Sequence, residues 1–225
     1  LREGPWTYVA QGEGHRTTRE LLQVLDNMAG LEEVSGLWRW ADNGVIGPRI
    51  APTNEIDLDR ELPTRGFSRF DFRHYRAHNW HAFGYPSRSP YASLQTSLGC
   101  PFRCTFCCIN APFGNASIRF WSPENVFNHF VDLAERGVTH VKIPDEMFLL
   151  NPRHVERICD ALIELESWNF NIWAYARVDT CRNERLLAKM KRAGFNWLGI
   201  GIESGSQHVR DGVAKGTFGE LEIVT

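Results

Sequence analysis

The sequence predicts an α/β fold built on a parallel sheet. From Tyr91 onward, short apolar runs of strand length alternate with segments in which apolar residues recur every three or four positions, as in amphipathic helices. Strands that are separated by helices form right-handed βαβ units, so their strands run parallel. Hydrophobic strand interiors with helices on the outside favour a barrel or a curved partial barrel, but periodicity does not exclude an open doubly wound sheet.

Helix starts in this half carry their usual signals. Ser122 before Pro123, and Asn151 before Pro152, each combine an N-cap side chain with proline at the first helical position. A third helix begins at Asn183, and glycines follow the apolar stripes as stop signals. The predicted strands cover residues 91–98, 138–144, 170–178 and 197–202.

The beginning of the chain has a different pattern, with a strand candidate at 6–11 followed by a helix. Thr17 and Glu20 are three residues apart, which is the spacing of a capping box at a helix start. The apolar stripe of this helix contains Leu21, Leu22, Val24, Leu25 and Met28, and Gly30 follows as a stop signal.

A hairpin and a long irregular stretch come next. Two strand candidates, 34–40 and 45–50, flank Asp42-Asn43-Gly44 and predict a β-hairpin around an Asn-Gly turn. Residues 51–90 are rich in proline, arginine and aromatic residues without periodicity, which indicates a linker that wraps over a surface. This stretch contains a group of histidines and aromatic residues, namely His74, Tyr75, His78, Trp80 and His81. These side chains either line a substrate pocket or are ordinary solvated or packed residues of the linker.

Composition indicates a cytoplasmic globular protein. Of the 225 residues, 43% are hydrophobic and 23% are charged, which suits a soluble α/β domain with one substantial core. The formal charge of −2 gives no basic footprint for nucleic acid, and no apolar run suits a membrane span or a signal peptide. Because the chain begins with Leu1 and ends in an apolar run, we expect a fragment of a longer protein.

Three cysteines lie in one short loop after the first of these parallel strands. Cys100, Cys104 and Cys107 supply three thiolates, one fewer than a four-iron cluster needs to be closed by cysteine alone. The iron without a protein ligand is then the reactive position, as in catalytic zinc sites that keep one coordination position open. Zinc itself is an alternative, but no second cysteine or histidine pair follows at finger spacing. A disulfide within so tight a loop has poor geometry.

The other cysteines are interpreted as structural. Cys108 adjoins the loop and is predicted to be a small buried neighbour. Cys159 lies on the apolar face of a predicted helix and is expected in the core. Cys181 follows a strand end, where it either packs or lines a pocket.

The cysteine loop resembles that of the radical S-adenosylmethionine (SAM) enzymes. The resemblance implies that SAM chelates the open iron, and that an electron from the cluster cleaves SAM to a 5′-deoxyadenosyl radical. It also implies a partial parallel (β/α) barrel, truncated here. The resemblance therefore favours the partial barrel over the open doubly wound sheet. Phe106 matches the aromatic position that packs on the adenine of SAM in that family.

Further candidate residues follow the predicted strands, whose carboxyl ends meet at one edge of the sheet. Asp145 and Glu146 resemble the segment that takes the amino group of SAM, or else they form a solvated acidic turn. Arg177 offers a guanidinium for the carboxylate or ribose of SAM, or else it forms an ion pair with Asp179 or Asp145. Glu203 and Ser204 lie in a glycine-rich turn whose backbone can approach a ligand closely and whose polar groups suit a ribose or an ammonium.

A wider set of motifs is similar to the radical enzymes that carry a cobalamin-binding domain ahead of the barrel. The set consists of Gly12–Thr18, Leu58–Pro63, Asp145–Phe148, and Gly201–Ser206 followed by Lys215-Gly216-Thr217. The resemblance implies that 1–50 is the remnant of a cobalamin-binding-like domain, 51–90 a linker and 91–225 the partial barrel. The pattern Asp-x-His-x-x-Gly is absent, and Asp71 and His74 have the wrong spacing. We therefore expect cobalamin in the full-length parent and not on this fragment alone.

The function implied by the resemblance is that of a radical SAM enzyme with a 4Fe-4S cluster, SAM and cobalamin. It implies hydrogen abstraction from an unactivated centre followed by methyl transfer, or related radical chemistry. The alternatives are a radical SAM enzyme without cobalamin and a non-catalytic iron–sulfur or zinc-binding module. The implied partners are a small-molecule substrate and a one-electron reductant such as flavodoxin or ferredoxin, with neither nucleic acid nor membrane involved.

Overall fold

The structure is a computed structural model that describes residues 4–26, 30–54, 56–63, 66–165, 168–215 and 218–224. These residues form two compact units, one comprising Leu1–Ile56 and Cys107–Ser117, the other Asp57–Phe106 and Ile118–Thr225. No helix in the described ranges is both long enough and apolar enough to cross a membrane.

The smaller unit is an antiparallel sheet with one helix. Its elements are β1 (Tyr8–Ala10), α1 (His15–Val24), β2 (Leu37–Ala41) and β3 (Gly44–Ile46), and the strands lie in the order β1-β2-β3. Leu31, Val34 and Leu37 are buried, and Tyr8, Leu21 and Val24 pack against them. Leu22, which the sequence places in the same stripe, is exposed, and Met28 lies outside the described residues.

The predicted capping box at the start of α1 is wrong. The helix begins at His15 with Gly14 as its N-cap, so Thr17 and Glu20 lie inside it. The buried Thr17 hydroxyl donates to the backbone carbonyl of Ser35 at 2.6 Å. Glu20 accepts hydrogen bonds from the N–H and the hydroxyl of Ser35 at 2.8 and 2.7 Å. These side chains therefore tie the helix to Ser35, and the first turn is left without a side-chain cap.

The predicted hairpin is confirmed, with a different turn. Ala41 pairs with Gly44, so the two-residue loop consists of Asp42 and Asn43. Gly44 begins β3 with a φ of +112°, a conformation that glycine adopts without steric cost.

The larger unit is built on a parallel sheet, as the sequence predicts. Its strands are β4 (Tyr91–Ser93), β5 (Ser97–Gly99), β6 (Ile118–Phe120), β7 (His140–Ile143), β8 (Asn171–Arg177) and β9 (Phe195–Gly201). The parallel sheet has the order β4-β7-β8-β9, and β5 and β6 form a separate antiparallel pair. The helices are α2 (Leu58–Glu61), α3 (Pro123–Glu135), α4 (Pro152–Glu164), α5 (Glu184–Arg192), α6 (Gln207–Gly212) and α7 (Glu220–Val224).

The predicted helix starts are confirmed. Ser122, Asn151 and Asn183 each accept a side-chain hydrogen bond from the backbone N–H three residues later, at 3.1, 3.2 and 3.1 Å. Each cap satisfies one N–H group that the first turn leaves unpaired. Because the parallel strands are neighbours in chain order and such crossovers are right-handed, α3, α4 and α5 lie on one face of the sheet.

Alternate residues along each strand point to opposite faces of the sheet. On β8, Ile172, Ala174 and Ala176 are buried beneath the helices. The opposite face, which we call the inner face, carries His140 and Lys142 from β7, Asn171, Trp173, Tyr175 and Arg177 from β8, and Trp197, Gly199 and Gly201 from β9.

The single predicted strand at 91–98 is wrong, because the chain changes sheets within it. β4 pairs in parallel with β7, whereas β5 pairs antiparallel with β6, a strand that the sequence analysis does not predict. The change takes place at Thr96 and Ser97, whose hydroxyls donate to the Asp145 carboxylate at 2.6 and 2.7 Å. Hydrogen bonds to so distant a residue leave no periodic signal in the sequence.

Part of the predicted linker covers the end of the inner face at which the strands begin. Trp80 lies against Trp173, with ring centroids 4.3 Å apart. His81 is fully buried, and its Nε2 lies 3.0 Å from the backbone carbonyl of Asn171. The remaining candidates for the substrate pocket, His74, Tyr75 and His78, are exposed.

Candidate functional site

The cysteine loop begins close to the carboxyl ends of the parallel strands. Gly99, with a φ of +91°, ends β5, and Cys100 follows it. Cys100 is buried, Cys104 is half-buried and Cys107 is exposed, and all three are free of disulfides. Cys108 is exposed, so the prediction that it is buried is wrong.

The segment after α6 supports the middle of the loop. The backbone N–H of Thr105 donates to the carbonyl of Val213 at 3.1 Å. The Cys104 sulfur lies 3.7 Å from the carbonyl oxygen of Ala214, whose φ of +55° is in the left-handed region. The backbone of this segment therefore contacts the loop at Cys104 and Thr105.

The chemistry of the thiols fits an iron–sulfur cluster. Cys159 is fully buried, as predicted, and burial raises the pKa of its thiol to about 12, which keeps it inert. The loop thiols of Cys104 and Cys107 are more accessible. In the part of the chain that the structure describes, no three His, Cys, Asp or Glu side chains surround a point where one ion could bind. A four-iron cluster does not need three side chains around one point, because each cysteine thiolate binds a different iron.

Asp145 connects the end of β7 to the start of the cysteine loop. Its carboxylate is fully buried and accepts hydrogen bonds from the Thr96 N–H at 2.9 Å and from the hydroxyls of Thr96 and Ser97. Burial raises the pKa of Asp145 to about 6, although these hydrogen bonds oppose the increase. Burial also raises the pKa of the neighbouring, half-buried Glu146. The contact of Asp145 and Glu146 with SAM stays a prediction.

Arg177 lies at the carboxyl end of β8, on the inner face, and is almost completely buried. Its Nε donates to Asp179 Oδ1 at 3.1 Å, which is the ion pair that the sequence analysis gives as the alternative. Its guanidinium also lies over the ring of Phe102 in the cysteine loop, 3.9 Å from the centroid. The structure therefore brings Arg177 to the cysteine loop.

Glu203 forms an ion pair in the glycine-rich turn. The Nζ of the buried Lys215 donates to Glu203 Oε1 at 2.5 Å. Glu203 has a φ of +66°, an uncommon conformation for a residue other than glycine. A Cβ at Gly201 would lie 3.0 Å from the Lys215 Nζ and 3.1 Å from the Glu203 carboxylate. The glycine thus makes room for this ion pair, a role that the sequence analysis does not predict.

Ser204 and Phe106 complete the set of predicted residues. The Ser204 hydroxyl accepts a hydrogen bond from the Ser206 N–H at 3.1 Å, and its carbonyl accepts one from the buried Arg210 at 2.6 Å. Phe106 is 55% exposed, and the Lys215 ammonium lies 5.9 Å from its ring centroid. One open aromatic face therefore lies beside the ion pair of the glycine-rich turn.

Sequence reasoning missed two residues of this site, Phe102 and Lys215. Phe102 contacts Arg177, and Lys215 contacts Glu203. Phe102 lies between two cysteines, and this position was its only signal in the sequence. The pairing of Lys215 depends on the turn after α6, which leaves no pattern in the sequence.

The chain belongs to the radical SAM superfamily. Residues 94–223, more than half of the chain, match the sequence model described as the Radical SAM superfamily. The family that the cysteine loop suggests is therefore confirmed.

Curated relatives cover nearly all of the chain. The chain is 28% identical to an uncharacterized methyltransferase of Pyrococcus horikoshii, over 96% of the chain and 44% of the relative. It is 26% identical to the hopanoid C-3 methylase of Methylococcus capsulatus, over 98% and 40% of the two chains. It is 27% identical to the anaerobic magnesium-protoporphyrin IX monomethyl ester cyclase of Rubrivivax gelatinosus, over 96% and 38%. The chain thus spans about two fifths of the length of these relatives.

Solved structures support the same fold. The cobalamin-dependent SAM radical enzyme OxsB, with aqua-cobalamin and SAM bound, superimposes with a TM-score of 0.66 at 22% identity, over 98% of this chain and 31% of that one. The radical SAM methyltransferase TsrM from Kitasatospora setae superimposes with a TM-score of 0.69 at 15% identity, over 96% and 42%. These similarities confirm the partial-barrel type of parallel sheet.

The buried carboxyl of Asp145 gives a prediction for pH dependence. Its pKa is higher in the folded chain than the 3.8 of an unfolded one, so the folded chain holds the proton more tightly. The stability it contributes is therefore present below about pH 4 and is lost as the pH rises through about 6. Asp145→Asn should remove this component, on the order of 3 kcal/mol between pH 4 and pH 7.

Urea unfolding curves at several pH values measure the pH-dependent part of the free energy of unfolding that Asp145 contributes. The control is Asp132→Asn, which changes a half-buried carboxylate near the end of α3 that pairs with Arg136, the residue after this helix. The control should lose stability with rising pH in parallel with the unmodified chain. If Asp145→Asn also loses stability with rising pH as the unmodified chain does, the pH dependence does not come from the Asp145 carboxyl.

Proposed function

We propose that this chain is the catalytic core of a radical SAM enzyme, with a 4Fe-4S cluster on Cys100, Cys104 and Cys107. The observation that carries the proposal is the set of three disulfide-free cysteines in one loop, which begins at the carboxyl edge of a parallel sheet in a radical SAM chain. When bound, the cluster and SAM supply reductive cleavage of SAM to a 5′-deoxyadenosyl radical. The chain orients both groups.

The residues around the loop are proposed to bind SAM. The exposed ring of Phe106 offers a stacking surface for adenine. The Glu203 side chain is 42% exposed beside Lys215 and can accept hydrogen bonds from a ribose or an ammonium, with Ser204 next to it. Arg177 and the pair Asp145 and Glu146 remain further candidates at the ends of the neighbouring strands.

A cobalamin-dependent methyl transfer is proposed for the full-length protein. Hopanoid methylases and a cobalamin-dependent SAM radical enzyme are among the proteins similar to this chain, which supports that branch. In this proposal, 1–50 is the remnant of a cobalamin-binding-like domain, 51–90 the linker and 91–225 the partial barrel. Cobalamin would supply the methyl group to the substrate radical. A radical SAM enzyme that only abstracts hydrogen is the alternative, because a cyclase is also similar.

The proposed setting of the reaction follows from this chemistry. The substrate is a small molecule, and one electron per cleavage comes from a reductant such as flavodoxin or ferredoxin in the cytoplasm. The formal charge of −2 supports a protein that does not act on nucleic acid.

The three cysteines are expected to be equivalent in iron binding. After anaerobic reconstitution, the unmodified protein should hold about four irons per chain. Changing Cys100, Cys104 or Cys107 to Ala should abolish SAM cleavage and lower the iron content. Cys108→Ala, in the exposed neighbour, is the matched control and should leave both unchanged. Iron analysis and 5′-deoxyadenosine assays measure this, and tight zinc without iron in the unmodified protein would contradict the proposal.

Glu203 is expected to affect SAM and not the cluster. Glu203→Gln should weaken SAM binding about 10- to 100-fold, the scale of one charged hydrogen bond of about 1.5–3 kcal/mol. Iron content should stay unchanged, because Glu203 does not touch a cysteine in the described contacts. Glu135→Gln, at the exposed end of α3, is the control. Calorimetric titration with SAM measures the affinity of each variant. Equal affinities of the two variants would show that Glu203 is not part of the SAM site.

Cobalamin is expected to bind the full-length protein and not the 225-residue chain. The described part of residues 1–50 contains one helix and three short strands, too little apolar material for a separate cofactor domain. The full-length protein, reconstituted with cobalamin, should transfer a methyl group from labelled SAM to its substrate. Full turnover under rigorously cobalamin-free conditions would assign it to the hydrogen-abstracting class.

A further inference from the structure

Two residues with left-handed backbone conformations flank one ion pair. Among the described residues other than glycine, only Glu203 and Ala214 have a positive φ, at +66° and +55°. Glu203 carries the carboxylate of the pair, and Ala214 directly precedes Lys215, which carries the ammonium. Such conformations cost free energy and persist only where the surrounding structure imposes them. Strained backbone is therefore present on both sides of the Lys215–Glu203 contact.

The two partners of this ion pair differ in exposure. The Lys215 side chain is 9% exposed, whereas the Glu203 side chain is 42% exposed. A buried ammonium is costly without a partner, and Lys215 Nζ has one in Glu203 Oε1 at 2.5 Å. A carboxylate has more acceptor positions than one ammonium uses. The buried lysine therefore holds a carboxylate that is still able to accept a hydrogen bond from another group.

A glycine at the end of β9 gives the ion pair its space. A Cβ at Gly201 would lie 3.0 Å from Lys215 Nζ and 3.1 Å from Glu203 Oε1. A Cβ at Gly205, in the same turn, would meet nothing within 4 Å. A side chain at position 201 would therefore press on both partners of the pair, whereas one at position 205 would not.

The segment that carries the lysine also contacts the cysteine loop. The Lys215 ammonium lies 5.9 Å from the centroid of the Phe106 ring, within the range of a cation–π contact. The backbone carbonyls of the two residues before the lysine contact the loop at the Thr105 N–H and the Cys104 sulfur, at 3.1 and 3.7 Å. The lysine is therefore connected both to the glycine-rich turn and to the loop of cysteines.

A carboxylate that is already held in place binds a ligand at a lower entropic cost. A free glutamate side chain loses rotamer freedom when it forms a hydrogen bond with a ligand. At Glu203 the contact with the lysine restricts that freedom before any ligand binds. Because the lysine segment also contacts the cysteine loop, the carboxylate is preorganised relative to that loop and to the exposed ring of Phe106.

We propose that Lys215 is a positioning residue of the SAM site, and that it acts by holding the Glu203 carboxylate where this group accepts hydrogen bonds from SAM. The inference rests on the proposed function, because Glu203 binds SAM only in that proposal. Lys215 acts through Glu203 and is not itself a ligand of SAM or of the cluster. Loss of its charge therefore weakens SAM binding and leaves the iron content unchanged.

Calorimetric titration of SAM into the full-length protein with its cluster reconstituted tests this role without turnover. Lys215→Gln should weaken SAM binding about tenfold, because the charged contact to Glu203 is lost, whereas Lys215→Arg keeps the charge and should retain most of the affinity. Iron content should be the same in all variants. Lys189→Gln, which removes an ion pair with Asp160, is the matched control and should bind SAM as the unmodified protein does.

A double variant separates positioning from a general loss of structure. Because Lys215 acts through Glu203, Lys215→Gln combined with Glu203→Ala should bind SAM no more weakly than Glu203→Ala alone. Gly201→Ala keeps both charges but presses on them, so it should also weaken SAM binding, whereas Gly205→Ala should not. This glycine pair gives the answer even where Lys215→Gln does not fold.

Three results would overturn the proposal while the unmodified protein binds SAM. They are an unchanged affinity in Lys215→Gln, additive losses in the double variant, and equal affinities of Gly201→Ala and Gly205→Ala. Failure of the proposed function is recognised separately, because the unmodified protein would then bind no SAM, and this inference would fall with it.

Discussion

The buried carboxylate of Asp145 fixes the path of the chain where it leaves the parallel sheet. Asp145 follows β7, and the hydroxyls and N–H that it binds belong to Thr96, just before β5, and to Ser97, the first residue of β5. A carboxylate in a buried site is costly unless its oxygens accept hydrogen bonds, so the turn and the strand end stabilise each other. The start of the cysteine loop is three residues further along. Its position therefore depends on this contact.

The arrangement of the sheet then divides the structural and the chemical roles. Strands that are neighbours in chain order place the helices on one face, where the apolar residues of β7 and β8 are buried. The inner face instead carries polar and aromatic residues. On β9, Gly199 leaves space for the Tyr175 ring, and Gly201 leaves space for the Lys215–Glu203 ion pair.

Sequence reasoning predicted what depends on local chemistry. The parallel sheet and the caps at Ser122, Asn151 and Asn183 follow from periodicity and from side chains that bond to nearby backbone. The wrong predictions involve distant partners. Thr17 and Glu20 have the spacing of a capping box but bind Ser35, and the strand at 91–98 is broken by Asp145. Cys108 was predicted buried from its sequence neighbours alone. The buried Nε1 of Trp173, which has no hydrogen-bond acceptor, had no signal, since a missing partner is visible only in three dimensions.

The central claim is that the cysteine loop holds a cluster in which one iron has no protein ligand. Mössbauer spectroscopy of protein reconstituted with iron-57 tests this claim most directly, because it resolves each iron by its coordination. Addition of SAM should change the spectrum of about one quarter of the iron and leave the rest unchanged. A spectrum in which SAM alters no iron, or in which the iron is not in a four-iron cluster, would contradict the account.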